Sequence, residues 1–277
     1  MTQTNTNCKI IVITSGKGGV GKTTTTANIG AGLAMKGYKV ALIDTDTGLR
    51  NLDLLLGLEN RIMYDLVDVT SGKIPYKKAL VRHKKYETLF LLPTSQTKDK
   101  LAVSPEQVVA LCSEMSADFD FILIDCPAGI EQGFKTAVAA ADIALVVTMP
   151  EISAVRDADK IIGELNRADK IIGELNRADK ENILLIVNRI RPDMVAKGEM
   201  LDLDDINDIL AIKCIGQIPD DEMVVSSTNR GEPVIANTKS QAGIAYQNIT
   251  RRLCGEDVPF MTFRTKESFF DRLKKLF

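Results

Sequence analysis

Short apolar runs and longer amphipathic stretches take turns along this chain. The apolar runs are rich in β-branched and aliphatic residues. They predict buried strands at Lys9–Thr14, Lys39–Asp44, Thr88–Leu92, Phe119–Asp125, Ile143–Met149 and Ile183–Asn188, with a weaker one at Lys213–Ile218. The stretches between them predict helices at Lys22–Met35, Pro105–Met115, Gly133–Ala140, Val155–Asp179, Leu203–Leu210 and Gln241–Leu253. Strand–helix–strand alternation implies parallel pairing and right-handed crossovers. The expected fold class is therefore α/β, a doubly wound, mostly parallel sheet flanked by helices on both faces. The expected organisation is one large domain over residues 1–255, a polar, Pro-containing linker over 256–265, and an amphipathic C-terminal helix over 266–277.

One segment breaks the pattern. Ala158 to Arg167 is repeated without change as Ala168 to Arg177, and Ala178-Asp179-Lys180 begins a third copy. Ten residues are too few for a solenoid unit, so the repeat reads as a recent duplication or an error in the gene. A helix lengthened by about 15 Å could keep an apolar stripe through Ile161, Leu165, Ala168, Ile172 and Leu175. Alternatively, one copy bulges out near Gly163 or Gly173. Without one copy the chain would have 267 of its 277 residues.

Composition narrows the chemistry. The formal net charge is −2, which argues against a wholesale nucleic-acid coat. His83 is the single histidine, so no multi-His metal centre is possible; its setting, Arg82-His83-Lys84-Lys85, predicts a solvated surface. Five scattered cysteines with no CxxC pair read as reduced thiols. No apolar run reaches the roughly 18 residues of a membrane span, and the first eight residues fit neither a signal nor a transit peptide. The expected compartment is the cytoplasm or a plastid stroma.

The chemistry-bearing motif is Gly16-Lys-Gly-Gly-Val-Gly-Lys22-Thr23, which matches GxxxxGK[ST] between a predicted strand and a predicted helix. Gly16, Gly18, Gly19, Val20 and Gly21 let backbone N–H groups curl around phosphates, and the helix N-terminus adds its positive end. Lys22 should bridge β- and γ-phosphate oxygens, Thr23 should ligate Mg²⁺, and Thr24 should sit near the α-phosphate. Phe121-Ile-Leu-Ile-Asp125 is an apolar strand ending in an acid, the pattern in which Asp125 holds Mg²⁺ through water. Cys126 follows it, a position suited to inert small-residue packing or, less simply, to oxidation sensitivity. At the end of the second strand, Asp46 is the candidate to orient an attacking water and Asp44 the candidate to support the loop and the Mg²⁺ shell. Asn188, after a late strand, could contact an adenine edge or simply cap a helix.

Lys17 is a second lysine that phosphate cradling from within does not need. KGGVGKTT resembles the deviant Walker A motif of the MinD/ParA class of P-loop ATPases. Gly48-Leu-Arg-Asn-Leu-Asp-Leu54, Asp125-Cys-Pro-Ala-Gly-Ile-Glu131, Ser153 to Asp159, Ile218-Pro-Asp-Asp-Glu222 and Asn229-Arg-Gly-Glu-Pro233 are similar to the MinD branch, which positions the division site in bacteria and plastids. The resemblance runs from about Lys9 to Phe277, broken by the duplicated segment. It implies a SIMIBI-type P-loop fold, ATP and Mg²⁺ as ligands, and Lys17 reaching across a nucleotide-sandwich homodimer. It also implies that Asn188 reads the base with Pro219 and Asp220 on the other side. The implied partners are a MinC-like division inhibitor and a MinE-like regulator, with no nucleic acid expected.

The last twelve residues, Lys266 to Phe277, carry four basic and two acidic residues. On a helical wheel Phe269, Phe270, Leu273, Leu276 and Phe277 share an arc of about 120°. Arg272, Lys274 and Lys275 lie outside it. Such a helix suits an anionic membrane surface, or docks on the protein's own core or on a partner. The resemblance implies the membrane, on the inner face of the cell membrane or of a plastid envelope. A ParA-like DNA-partitioning ATPase is the alternative reading; it would need a basic DNA-binding face.

Overall fold

The computed structural model describes residues 8–46, 51–95, 103–171 and 182–262. Eight strands form one sheet in the order β3-β4-β2-β5-β1-β6-β7-β8. They are β1 (Lys9–Thr14), β2 (Val40–Asp44), β3 (Val81–Arg82), β4 (Leu89–Leu92), β5 (Phe121–Asp125), β6 (Ile143–Thr148), β7 (Ile183–Ile190) and β8 (Lys213–Pro219). The pair β3–β4 is antiparallel and the other pairs are parallel. The helices are α1 (Lys22–Met35), α2 (Leu52–Leu55), α3 (Leu66–Thr70), α4 (Tyr76–Ala79), α5 (Pro105–Met115), α6 (Gln132–Val138), α7 (Ile152–Ile171), α8 (Pro192–Val195), α9 (Leu203–Leu210), α10 (Glu222–Thr228) and α11 (Gln241–Leu253).

The central strands β1, β2, β5 and β6 are apolar over nearly their whole length because helices cover both faces of the sheet. Side chains on a strand point alternately up and down. Ile11, Ile13, Leu42 and Leu123 accordingly enter one core cluster, with α1 and α11. Val12, Ala41, Ile43, Ile122 and Ile124 enter the other, with α5, α6, α7 and α9. Helix α1 is buried on most sides, since it sits between the sheet and α11. Gly32 permits that closeness: a Cβ there would lie 2.5 Å from both Ile235 and Thr250.

The expected strands and the long helices are all present, with small shifts at their ends. Helix α6 covers Gln132–Val138 rather than Gly133–Ala140, and α7 starts at Ile152 rather than Val155. The edge strand β3 and the short helices α2, α3, α4 and α8 carry too few residues to show a period, and α10 (Glu222–Thr228) is a further helix not expected from the sequence. The first repeat copy is one continuous helix through Gly163, so no bulge forms there. Ile161 and Leu165 face the core as expected. The side chains from Ala168 onward and the chain over residues 172–181 lie outside the described residues.

His83 corrects an expectation. It is buried, not solvated. Its Nδ1 accepts the backbone N–H groups of Lys85 and Tyr86, both at 3.1 Å, and its ring stacks on Tyr86 at 4.8 Å. Burial, reinforced by Lys85, Lys84 and Arg61, holds its pKa below the ordinary value. A chain reversal at the sheet edge tucks the ring inward while its basic neighbours stay outside.

Candidate functional site

The C-terminal ends of the parallel strands meet on one edge of the sheet, where α/β folds of this type hold their ligands. Strand β1 delivers the loop Ser15–Gly21 there, β2 delivers Asp44, β5 Asp125, β7 Asn188 and β8 Pro219. The order of the sheet places β5 and β6 on either side of β1, so the loop after β1 emerges between two flanking strands.

The loop geometry is set by its glycines. Gly19 and Gly21 adopt φ of +79° and +102°, a region closed to most side chains. Gly21 caps α1 with no side-chain hydrogen bond, which leaves the N–H groups of the first helical turn aimed at the edge of the sheet. A Cβ on Gly16 would meet the Asp157 carbonyl at 2.2 Å, so the loop rests directly on α7. Lys22 is buried, and its ammonium donates to the Ser15 hydroxyl at 3.0 Å. The Ser15 hydroxyl in turn donates to the Lys17 carbonyl at 2.8 Å. Sequence reasoning passed over Ser15; its place before Gly16 was the available signal.

Asp44 and Asp125 lie side by side in the β2–β5 register, and both are buried. Thr26 donates to Asp125 Oδ1 at 3.2 Å. Thr45 donates its hydroxyl to the Asp125 carbonyl at 2.7 Å, which ties the two strand ends together. Burial pushes the Asp125 carboxyl up to about 7, against the pull of Thr23 and Lys22. Asp44 is also held well above the carboxylate range, by burial and then by Asp125. Asp46 lies just beyond the strand, with its backbone N–H on Asp44 Oδ1 at 3.0 Å.

Two dehydrated carboxylates that resist ionisation create a demand for positive charge at this spot. With Thr23 they form a hard-oxygen donor set. Mg²⁺ is usually held by one or two carboxylates plus phosphate and water, so Thr23, Asp125 and Asp44 fit it. Among the described residues no group of three His, Cys, Asp or Glu side chains could hold a metal by itself. Cys126, beside Asp125, is buried and its thiol is pushed up to about 12 by burial, the state of an inert packing residue.

A cleft of about 270 Å³ opens next to the loop. Gly21, Thr24, Asn188, Pro219, Asp220 and Tyr246 line it, so four of the residues predicted for the base and α-phosphate come together. Asn188 is not a helix cap: its Nδ2 donates to the Val20 carbonyl at 2.8 Å and its Oδ1 accepts the Arg189 N–H at 2.9 Å. One amide hydrogen and one lone pair remain for a ligand. Arg189 follows at φ +56°, unusual for a residue with a side chain, and turns the chain into the cleft wall. Lys17 points the other way and is half exposed. Its ammonium lies 3.7 Å from Glu151 and 3.5 Å from the Ser153 hydroxyl at the start of α7. The tail residues Phe269, Phe270, Arg272, Leu273, Lys274, Lys275, Leu276 and Phe277 lie outside the described residues.

The chain matches the CbiA family, the CobQ/CobB/MinD/ParA nucleotide binding domain, over residues 11–234. It is 50% identical over 272 residues to the septum site-determining protein MinD of Bacillus subtilis, covering 96% of this chain and 97% of that one. The chain belongs to the MinD family. Among solved MinD structures, one from an Aquifex aeolicus MinC:MinD cell division complex superposes with a TM-score of 0.83 at 48% identity, over 92% of this chain and all of that one. A MinD from Pyrococcus horikoshii, solved with Mg-ADP, gives 0.77 at 29% identity over 89% of this chain and 96% of that one. The MinD relatives therefore share the whole doubly wound sheet and not the loop motif alone. The P-loop fold of the MinD/ParA class is the fold of this chain.

Proposed function

We propose that this protein hydrolyses ATP with Mg²⁺, dimerises when ATP is bound, and cycles on and off a membrane to position a cell-division site. The observation that carries the chemistry is the uncapped start of α1 behind Gly19 and Gly21, with buried Lys22 on one side and buried Asp44 and Asp125 on the other. Backbone N–H groups of residues 16–21 would hold the phosphates, and Lys22 would bridge the β- and γ-phosphates. Asn188, Pro219 and Asp220 would hold the base in the adjoining cleft, with Thr24 near the α-phosphate. Thr23, and Asp125 through water, would hold Mg²⁺ with Asp44 supporting its outer shell, and the ion when bound would neutralise charge on the β- and γ-phosphates. Asp46 would orient the attacking water, because it is the half-buried member of the acidic pair and lies just beyond the strand end.

Lys17 would leave Glu151 and Ser153 to reach the phosphates of a second copy. The segment 266–277 would serve as the membrane-targeting helix behind a linker over 256–265, attached to the ATPase domain of residues 1–255. A single short amphipathic helix binds lipid weakly, and pairing two raises avidity by about 10²–10⁴. Dimerisation would thus place the protein on an anionic surface as a peripheral protein of the cytoplasmic or stromal face. Among the described residues no helix is long and apolar enough to cross a membrane. A MinC-like inhibitor would be recruited to the dimer, and a MinE-like factor would stimulate hydrolysis; the solved MinC:MinD complex of a relative supports the first of these.

Sedimentation with anionic lipid vesicles tests the cycle. Pelleting with ATP and release with ADP is the expected result. Equal pelleting in both states would sink the switch.

A further inference from the structure

An apolar groove of about 480 Å³ lies between the end of β7 and α9. Val187, Ile190, Val195, Leu203 and Ile206 form its floor and walls, and Phe260 forms part of its rim. Phe260 is 41% exposed, a large aromatic ring at the edge of an open apolar cavity.

The position of the rim is fixed. Arg252, near the end of α11, donates to the carbonyls of Ile215, Val258 and Pro259 at 2.8–2.9 Å. Its guanidinium also lies 4.3 Å from the Phe260 ring centre. The chain is therefore clamped against β8 before it arrives at Phe260, Met261 and Thr262, all three of which line the groove. Four residue steps separate Thr262 from Lys266 and span at most about 14 Å, so Lys266 begins within that distance of the groove. Any amphipathic helix formed by residues 266–277 is held at high local concentration beside the cavity.

Shape and charge agree with that occupant. A cavity of about 150 Å³ holds a benzene ring, so this groove takes about three of the tail's five large apolar side chains. The adjacent helix α9 and its cap carry Asp202, Asp204, Asp205 and Asp208, while the tail carries Lys266, Arg272, Lys274 and Lys275 against Glu267 and Asp271. The basic flanks of the tail would lie beside an acidic helix.

We infer that, away from the membrane, the C-terminal segment 266–277 folds back into this groove of its own chain and is thereby withheld from lipid. The same apolar side chains that would enter the bilayer fill the groove, so the two states exclude each other. The consequence for lipid affinity rests on the membrane-anchor reading above; the docking itself does not.

The sequence contains no tryptophan, so Phe269→Trp places a single fluorophore on the tail. In dilute, lipid-free protein with ADP its emission is expected to be that of a buried indole. Two groove variants, Val195→Glu at a half-buried position and Ala196→Glu at an exposed one, should move it to that of a solvated indole. Circular dichroism checks that each variant is folded. A solvated indole in the parent protein overturns the proposal. So does a buried indole that the groove variants leave unchanged, which would put the tail elsewhere, or one that becomes solvated on dilution, which would make the occupant a second copy. Releasing a tail that is docked about 90% of the time raises its apparent affinity for anionic vesicles about tenfold. If removing residues 266–277 leaves ATP-dependent pelleting intact, the anchor reading fails while the fluorescence result stands on its own.

Discussion

Replacing Asp125 by Asn should stabilise the ligand-free protein while destroying its Mg²⁺ site. Asp125 is fully buried beside Asp44, and its carboxyl sits at about 7 rather than the ordinary 3.8. A raised pKa in the fold means that the folded state holds a proton which the unfolded chain has already released. The resulting penalty is absent below the unfolded value, grows through the window from about 4 to about 7, and is complete above it. At pH 8 the ionised carboxylate costs the fold about 4 kcal/mol relative to the unfolded chain. Asn keeps an oxygen to accept from Thr26 and removes the like-charge contact with Asp44, which is why the raised pair should relax. Some of the gain is lost to an amide hydrogen with no natural acceptor. Urea unfolding should therefore show the variant more stable by about 2–3 kcal/mol at pH 8, shrinking to under about 1 kcal/mol at pH 4. The parent protein should gain stability on adding Mg-ATP and the variant should gain little. A variant destabilised equally at both pH values would refute the account of a strained carboxylate pair.

Gly21→Ala puts a Cβ at φ +102° and within 2.3 Å of the Asn188 amide, so it should cost about 2 kcal/mol or more and abolish binding of a fluorescent ATP analogue. Lys17→Ala removes a half-exposed side chain whose ion pair with Glu151 is worth under about 1 kcal/mol; thermal stability should hold while ATP-dependent dimers disappear in light scattering. Alkylation of folded protein at pH 7 should spare Cys126, whose thiol is buried and protonated, and its modification at the rate of an exposed thiol would contradict the packing seen. Deleting residues 168–177 should leave unfolding free energy within about 1 kcal/mol, because the deletion rejoins Arg167 to Ala178-Asp179-Lys180 with the same local sequence that now follows the first copy and leaves the core contacts of Val155, Ala158, Ile161, Ile162 and Leu165 in place.

The sheet was legible because a strand buried on both faces has to be apolar along its length. Lys9–Thr14 and Pro105–Met115 were read to the residue; the second carries Ser104 and Gln107 as a capping box around Pro105. The phosphate loop was legible for a different reason: its chemistry needs glycine, lysine and threonine at fixed spacing within a dozen residues. The edge strand Val81–Arg82 and helices of four or five residues left no periodic trace. His83 was misread because a run of basic residues says nothing about which ring turns inward.

By itself, the sequence determined the βαβ order, the loop, the candidate acids and the amphipathic tail, since each depends on residues close together in the chain. The tertiary structure decided how distant pieces meet. It set Asp44 against Asp125 across 81 positions of sequence and raised both pKa values by excluding water. It also closed Asn188 onto Val20, seated Lys22 on Ser15, and clamped Phe260 at the rim of an apolar groove through Arg252. Burial and long-range register belong to the packed sheet, and no local pattern along the chain encodes them.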